Sequence, residues 1–126
     1  MQGSYAIDTS ALIVNYYRGV LEDTLSQSYV NLHILSETFY VICRSEGVDK
    51  ALKYVQEVAG KARITPSEEI ALIAGQFKCK YPISLADAWT LATAKRNGVP
   101  ALFGVMEREI IDVVEELRKE VKIEFL

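Results

Sequence analysis

The sequence predicts an α/β domain built on a parallel, or mostly parallel, sheet covered by helices. Three observations predict it. Short apolar or β-branched runs alternate with segments of helical period along the whole chain, the pattern that βαβ units require. Half of the 126 residues are hydrophobic, with only three prolines and seven glycines, which suits a sizeable core and argues against a disordered chain. No linker, repeat or shift in composition divides residues 1–126, and their number is one domain's length.

The elements follow in order. Ser4 to Asp8 is an apolar run ending in an acid, too short for a helix, and reads as a buried strand. Thr9 and Ser10 then cap a helix opening with Ala11-Leu12-Ile13-Val14. A second helix is expected to start near Gly19 to Leu21 and fade by Ser28, and Val30 to Leu35 reads as a short strand carrying His33. Ser36 N-caps a helix through Arg44 that Gly47 ends. From Asp49 to Gly60 the apolar residues Ala51, Leu52, Val55, Val58 and Ala59 keep a helical period. Ala62 to Thr65 is a strand, and Pro66 with Ser67-Glu68-Glu69 opens a helix to about Lys80. Ser84 caps the next helix, with Asp87 in its first turn and Gly98 as its stop. Pro100 to Phe103 is strand-like, Val105 to Glu120 helical, and Val121 to Leu126 a last strand.

Composition excludes several functions. Fourteen Lys and Arg against seventeen Asp and Glu leave a formal charge of −3, unlike a protein that grips long duplexes by neutralising many phosphates. The single histidine, His33, leaves no paired-imidazole mechanism. There is no GxGxxG, GxxxxGK[ST], CxxC or GxSxG. Cys43 and Cys79 sit in apolar-patterned segments and read as buried thiols of a reducing cytosol. No apolar run approaches the roughly 20 residues of a membrane span, and the N-terminus lacks a signal peptide's layout. A cytoplasmic protein is expected. Carboxylates remain as its chemistry.

Three acids stand at or just past a strand-to-helix junction: Asp8, Glu37 and Asp87. In open parallel sheets ligands bind outside the carboxyl ends of the strands. Each acid alone serves equally well as a helix-start residue, favoured by the cap or the macrodipole. Gathering all three at one sheet edge without a cation is costly through mutual repulsion. Oxygen-rich acidic clusters suit Mg²⁺ or Mn²⁺, and such ions support phosphodiester hydrolysis with no need of histidine.

These residues resemble a known family. Tyr5-Ala6-Ile7-Asp8-Thr9-Ser10-Ala11-Leu12-Ile13 is similar to the opening of PIN domains, and Glu37-Thr38-Phe39-Tyr40-Val41 resembles the helix carrying their second acid. Ile83-Ser84-Leu85-Ala86-Asp87-Ala88-Trp89-Thr90-Leu91-Ala92-Thr93-Ala94 is the most specific match, similar to the family's S-L-x-D-A-x-x-x-A-T-A block. The resemblance spans essentially the whole chain. It implies a three-layer α/β/α domain with a central parallel sheet, and a Mg²⁺- or Mn²⁺-dependent ribonuclease. Small examples of the family are often the toxin of a VapBC-type toxin–antitoxin pair, with RNA as substrate, a protein antitoxin as partner and a homodimer as assembly. By position, Asp8, Glu37 and Asp87 carry over as metal ligands, with Thr9 or Ser10 holding Asp8 or a bound water.

The family's T-x-D after the next strand is altered here. Gly104 takes the Thr position and Met106 the acid's. A one-residue slide brings Glu107 into place, either as a fourth ligand or as an exposed first-turn acid. Arg44, two turns past Glu37, is set to meet a phosphate or to pair on the surface. Trp89 reads as core or dimer interface. The competing function is a PIN-like domain with a weakened site, acting as a binding or assembly module. A receiver-like phospho-acceptor domain ranks below both, for want of an acidic pair near the first strand.

Overall fold

The computed structural model describes residues 1–105 and 108–126, residue 108 by its backbone alone. Among the described residues five strands form one sheet: β1 (Ala6–Ile7), β2 (Tyr29–Val30), β3 (Arg63–Ile64), β4 (Ala101–Phe103) and β5 (Ile123–Phe125), in the order β3-β2-β1-β4-β5. Every pairing is parallel, with Ala6 beside Tyr29 on one side and Ala101 on the other. The connecting helices are α1 (Thr9–Arg18), α2 (Leu32–Glu46), α3 (Val48–Lys61), α4 (Ser67–Lys80), α5 (Leu85–Asn97), α6 (Arg108–Ile111) and α7 (Val114–Leu117). No helix among the described residues is long and apolar enough to cross a membrane.

Strand alternation produces the layers. Successive side chains of a strand point to opposite faces. Ile7 and Leu102 accordingly pack with Leu12, Ile34, Ile42 and Val58 on one face. Ala6, Ala101 and Phe103 pack with Ile70, Phe77 and Leu91 on the other. Two apolar cores flank one sheet, giving the α/β/α architecture. The sheet order reverses direction between β1 and β4, and at such a switch point the strand ends open a crevice. The small buried residues Ala88, Ala92 and Ala94 let α5 lie close against the sheet beneath that crevice.

The boundaries differ from the sequence expectation in three places. Val30 to Leu35 is not a strand: β2 stops at Val30, and α2 starts at Leu32. The side chain of Asn31 accepts from the Ile34 N–H at 2.8 Å and caps the helix five residues before Ser36. Ile34, Thr38 and Ile42 are then buried at i, i+4 and i+8, so the apolar run belongs to a helical face. His33 therefore sits in the first turn of a helix, its ring stacked 5.9 Å from that of Trp89. The helix expected from Gly19 to Ser28 is a set of turns ending in a single 3₁₀ turn, Leu25–Gln27. Gly19 ends α1 in the left-handed conformation (φ 65°), and the Asn15 side chain takes the Leu21 N–H at 2.7 Å, so Leu21 and Leu25 reach the core without a regular helix. The single helix expected over Val105 to Glu120 is two short ones, broken where Val113 (φ −123°, ψ 5°) leaves helical geometry. Cys43 and Cys79 are free thiols as expected but neither is buried: Cys43 is half-buried, and Cys79 is exposed on the face of α4 away from its buried residues Ile70, Ala74 and Phe77.

Candidate active site

Asp8 ends β1 and begins α1. Its backbone is extended (φ −75°, ψ 158°) and the residue is only 3 % exposed. One oxygen, Oδ2, accepts from the Ser10 N–H at 3.0 Å, a helix cap, and from the Ser10 hydroxyl at 2.7 Å. Capping needs no more than that oxygen. The other, Oδ1, accepts from the Thr90 hydroxyl at 2.7 Å, delivered by α5 from 82 residues away. Two charge-assisted bonds of this length hold the carboxylate in one orientation.

Ser10 is held in turn. Its Oγ accepts from the Gly104 N–H at the end of β4, 2.8 Å away. The two strands at the switch point are thus linked by the chain Gly104 N–H, Ser10 hydroxyl, Asp8 carboxylate. Gly104 is required by that approach. A Cβ built there falls 2.2 Å from the Ser10 carbonyl oxygen and 2.4 Å from its carbon, well inside van der Waals contact. The glycine read as a departure from the family pattern is where backbone meets backbone. Thr9 turns the other way, its Oγ1 lying 3.5 Å from both the Ile34 carbonyl and the Thr38 hydroxyl.

Asp87 is the third residue of α5. Its N–H is taken by the Ser84 hydroxyl at 3.1 Å, which sets the helix start, and its side chain is 3 % exposed. Glu37 lies in the second turn of α2, since the helix opens earlier than Ser36, and is half-buried. The structure places Asp8, Thr9, Ser10, Glu37, Ser84 and Asp87 along one open cleft of about 580 Å³ at the carboxyl edge of the sheet. Glu109 of α6 lines it as well. Glu107 and Met106 lie outside the described residues. Arg44 is not in the lining. It stands at the rim, its guanidinium 5.4 Å from the ring centre of Tyr40, which does line the cleft.

Thr90 and Glu109 escaped the sequence reading. Thr90 falls three residues after Asp87, on the same helical face, and that spacing was the available signal. Glu109 was visible only within Arg108-Glu109-Ile110, a stretch that resembles the tail of the family's block.

The cleft is lined by four carboxylates, and no Lys, Arg or His is among its described lining. Like charges confined together repel, and a donor set made only of carboxylate and hydroxyl oxygens matches hard divalent cations. In chemical type the residues fit such an ion. As placed, no group of three or more His, Cys, Asp or Glu among the described residues closes into a ready metal cage.

One family matches this chain, the PIN domain, over residues 5–104. The chain belongs to the PIN domain family. Its fold is shared with solved VapC-type structures. The DNA-bound VapBC of Salmonella typhimurium superimposes with a TM-score of 0.72 at 16 % identity, covering 99 % of this chain and 98 % of that one. VapBC2 of Rickettsia felis, bound to a DNA fragment from its promoter, gives 0.72 at 12 %, covering 98 % and 99 %. VapC20 of Mycobacterium tuberculosis, a toxin cleaving the sarcin–ricin loop, gives 0.68 at 13 %, covering 88 % and 95 %. No curated protein matches the sequence. Within this PIN domain, the cleft at the switch point is lined by the three acids of the sequence motifs.

Proposed function

We propose that this PIN domain, one unit spanning residues 1–126, is a divalent-metal-dependent endoribonuclease and the toxin of a VapBC-type pair. One observation carries the reading. Asp8, Glu37 and Asp87 come from three separate segments of the chain and line one cleft at the switch point. Asp8, Glu37 and Asp87 would hold Mg²⁺ or Mn²⁺, with Glu107 a candidate fourth ligand. When bound, the ion supplies a Lewis acid for the scissile phosphate and lowers the pKa of the attacking water.

The residues around the cleft do the rest. Ser10 and Thr90 fix the orientation of the Asp8 carboxylate, leaving Oδ1 with free acceptor capacity. Ser84 fixes the turn that presents Asp87. Arg44 offers a phosphate contact at the rim. Phosphate chemistry carries no base information, so target choice lies with neighbouring surfaces. The structural likeness to a sarcin–ricin-loop-cleaving toxin supports a looped RNA as substrate, and likeness to VapBC complexes supports a protein antitoxin. A cytoplasmic homodimer completes the proposal.

The test is cleavage of a labelled structured RNA with Mn²⁺ or Mg²⁺, EDTA as control, beside Asp8→Asn. Metal-dependent cleavage abolished in Asp8→Asn supports the reading. The competing reading, a weakened domain serving as a binding module, draws on the open arrangement of the acids. It expects no cleavage across several RNAs and no Mn²⁺-induced rise in melting temperature.

A further inference from the structure

A cleft walled by carboxylates has to admit a polyanion, and its described lining offers that polyanion no positive charge. Charge at the rim is what draws such a substrate in. On α2 the residues Glu37, Tyr40, Val41 and Arg44 fall at i, i+3, i+4 and i+7, one stripe along the helix. The first three line the cleft. The α2 core face is made by Ile34, Thr38 and Ile42, so Tyr40 is not needed to fill it.

Tyr40 is 49 % exposed, with the Arg44 guanidinium 5.4 Å from its ring centre. Arg44 makes no ion pair among the described residues. A half-exposed ring at the cleft, with a guanidinium over it that has no carboxylate partner among the described residues, joins a π surface for a base to a cation for the adjoining phosphate. These are the two elements by which proteins hold single-stranded nucleic acid.

We propose that Tyr40, with Arg44 beside its ring, is a stacking site for an unpaired nucleobase next to the scissile phosphate. The chain thereby selects looped or single-stranded RNA over continuous duplex, whose bases are already stacked and present no free face. The proposal rests on the ribonuclease reading, and Tyr40 acts in it as a positioning residue.

The experiment measures binding of a labelled RNA hairpin with an unpaired loop, and of a blunt RNA duplex, by fluorescence anisotropy in Ca²⁺. Cleavage of the hairpin is followed in parallel in Mn²⁺. Tyr40→Ala is expected to weaken hairpin binding roughly 5- to 150-fold, the loss of one base stack, and to raise KM with kcat near wild type. Tyr40→Phe and Tyr40→Trp restore binding, and Arg44→Ala lowers the log–log salt slope by about 1. Equal hairpin affinity in wild type and Tyr40→Ala overturns the proposal, as does failure of the aromatic variants to rescue, or equal affinity of wild type for hairpin and duplex. The two readings fail separately. Tyr40-dependent loop binding without any Mn²⁺-dependent cleavage sinks the nuclease and leaves the stacking site. Asp8-dependent cleavage with an unaltered KM in Tyr40→Ala does the reverse.

Discussion

Gly104→Ala is the smallest change that challenges the junction of β4 with α1. The added Cβ falls 2.2 Å from the Ser10 carbonyl oxygen, 2.4 Å from its carbon and 2.8 Å from the Ala11 nitrogen. All three neighbours are backbone, so no side chain can swing away. Ordinary contact near 3.5 Å requires the strand end and the helix start to part by about 1 Å. Parting them breaks the 2.8 Å bond from the Gly104 N–H to the Ser10 hydroxyl. Overpacking of this kind costs about 1–3 kcal/mol, and the lost hydrogen bond adds about 1 kcal/mol. A total near 2–4 kcal/mol corresponds to a drop in Tm on the order of 10 °C for a chain of this size. Urea denaturation of wild type and Gly104→Ala measures it. Gly75→Ala is the internal control: Gly75 lies inside α4 with nothing within 4 Å of a built Cβ, so alanine there should gain about 0.5–1 kcal/mol from helix propensity. A Gly104→Ala protein within 0.5 kcal/mol of wild type would refute the reasoning, because the approach of the two backbones would then not be tight.

Three further outcomes are expected. Thr90→Val keeps the shape of the side chain but removes the donor to Asp8 Oδ1. Its Mn²⁺ affinity, read from the metal dependence of melting or cleavage, should fall about 10- to 100-fold while Thr90→Ser stays near wild type. Tyr54→Phe deletes a buried hydroxyl that donates to the Leu12 carbonyl at 2.7 Å and accepts from the Asn15 side chain at 3.0 Å. Two partners left unsatisfied should cost about 1–3 kcal/mol in urea denaturation. Glu120 accepts from Tyr81 at 2.6 Å and pairs with Lys80 and Lys95, and these bonds, the one from Tyr81 foremost, hold its carboxyl down at about 2 from the ordinary 4.5. A depressed acid contributes stability that is full above pH 4.5 and lost as pH falls toward 2. After solvent screening that contribution is on the order of 1 kcal/mol, and Glu120→Gln should flatten that limb of the pH–stability curve.

Asp8 and Asp87 were legible in the sequence because each follows a local signal: a short apolar strand before the first, a Ser cap before the second. Glu37 was recognisable as an acid of the right kind, but its place on the helix was misjudged. The run Val30 to Leu35 satisfies a strand and a buried helical turn equally by hydrophobicity, and only Asn31, a cap residue embedded within it, favours the helix. Thr90 left only a faint signal, its spacing from Asp87, because its meaning is tertiary: a hydroxyl in a helix interior acquires a role only when α5 is laid beneath β1. Gly104 was seen and its reason was not, since the close approach that demands a glycine joins residues 94 apart in sequence. The parallel sheet covered by helices followed from alternation, whereas the strand order and the breaks at Gly19–Ser28 and at Val113 depend on how the elements pack against one another.

The double duty of Asp8 narrows the routes by which a lineage carrying this fold can silence it. Alanine at position 8 removes the α1 cap, about 1 kcal/mol of it, together with the Thr90 and Ser10 contacts. A destabilisation of that size exposes more unfolded chain to the cell's proteases and lowers abundance several-fold. Asparagine caps a helix as well as aspartate does, so it keeps the fold while withdrawing the charge. An inactive descendant that persists as a folded protein should therefore carry Asn at position 8 more readily than Ala, and a change at the half-buried Glu37, which caps no helix, should meet no such filter.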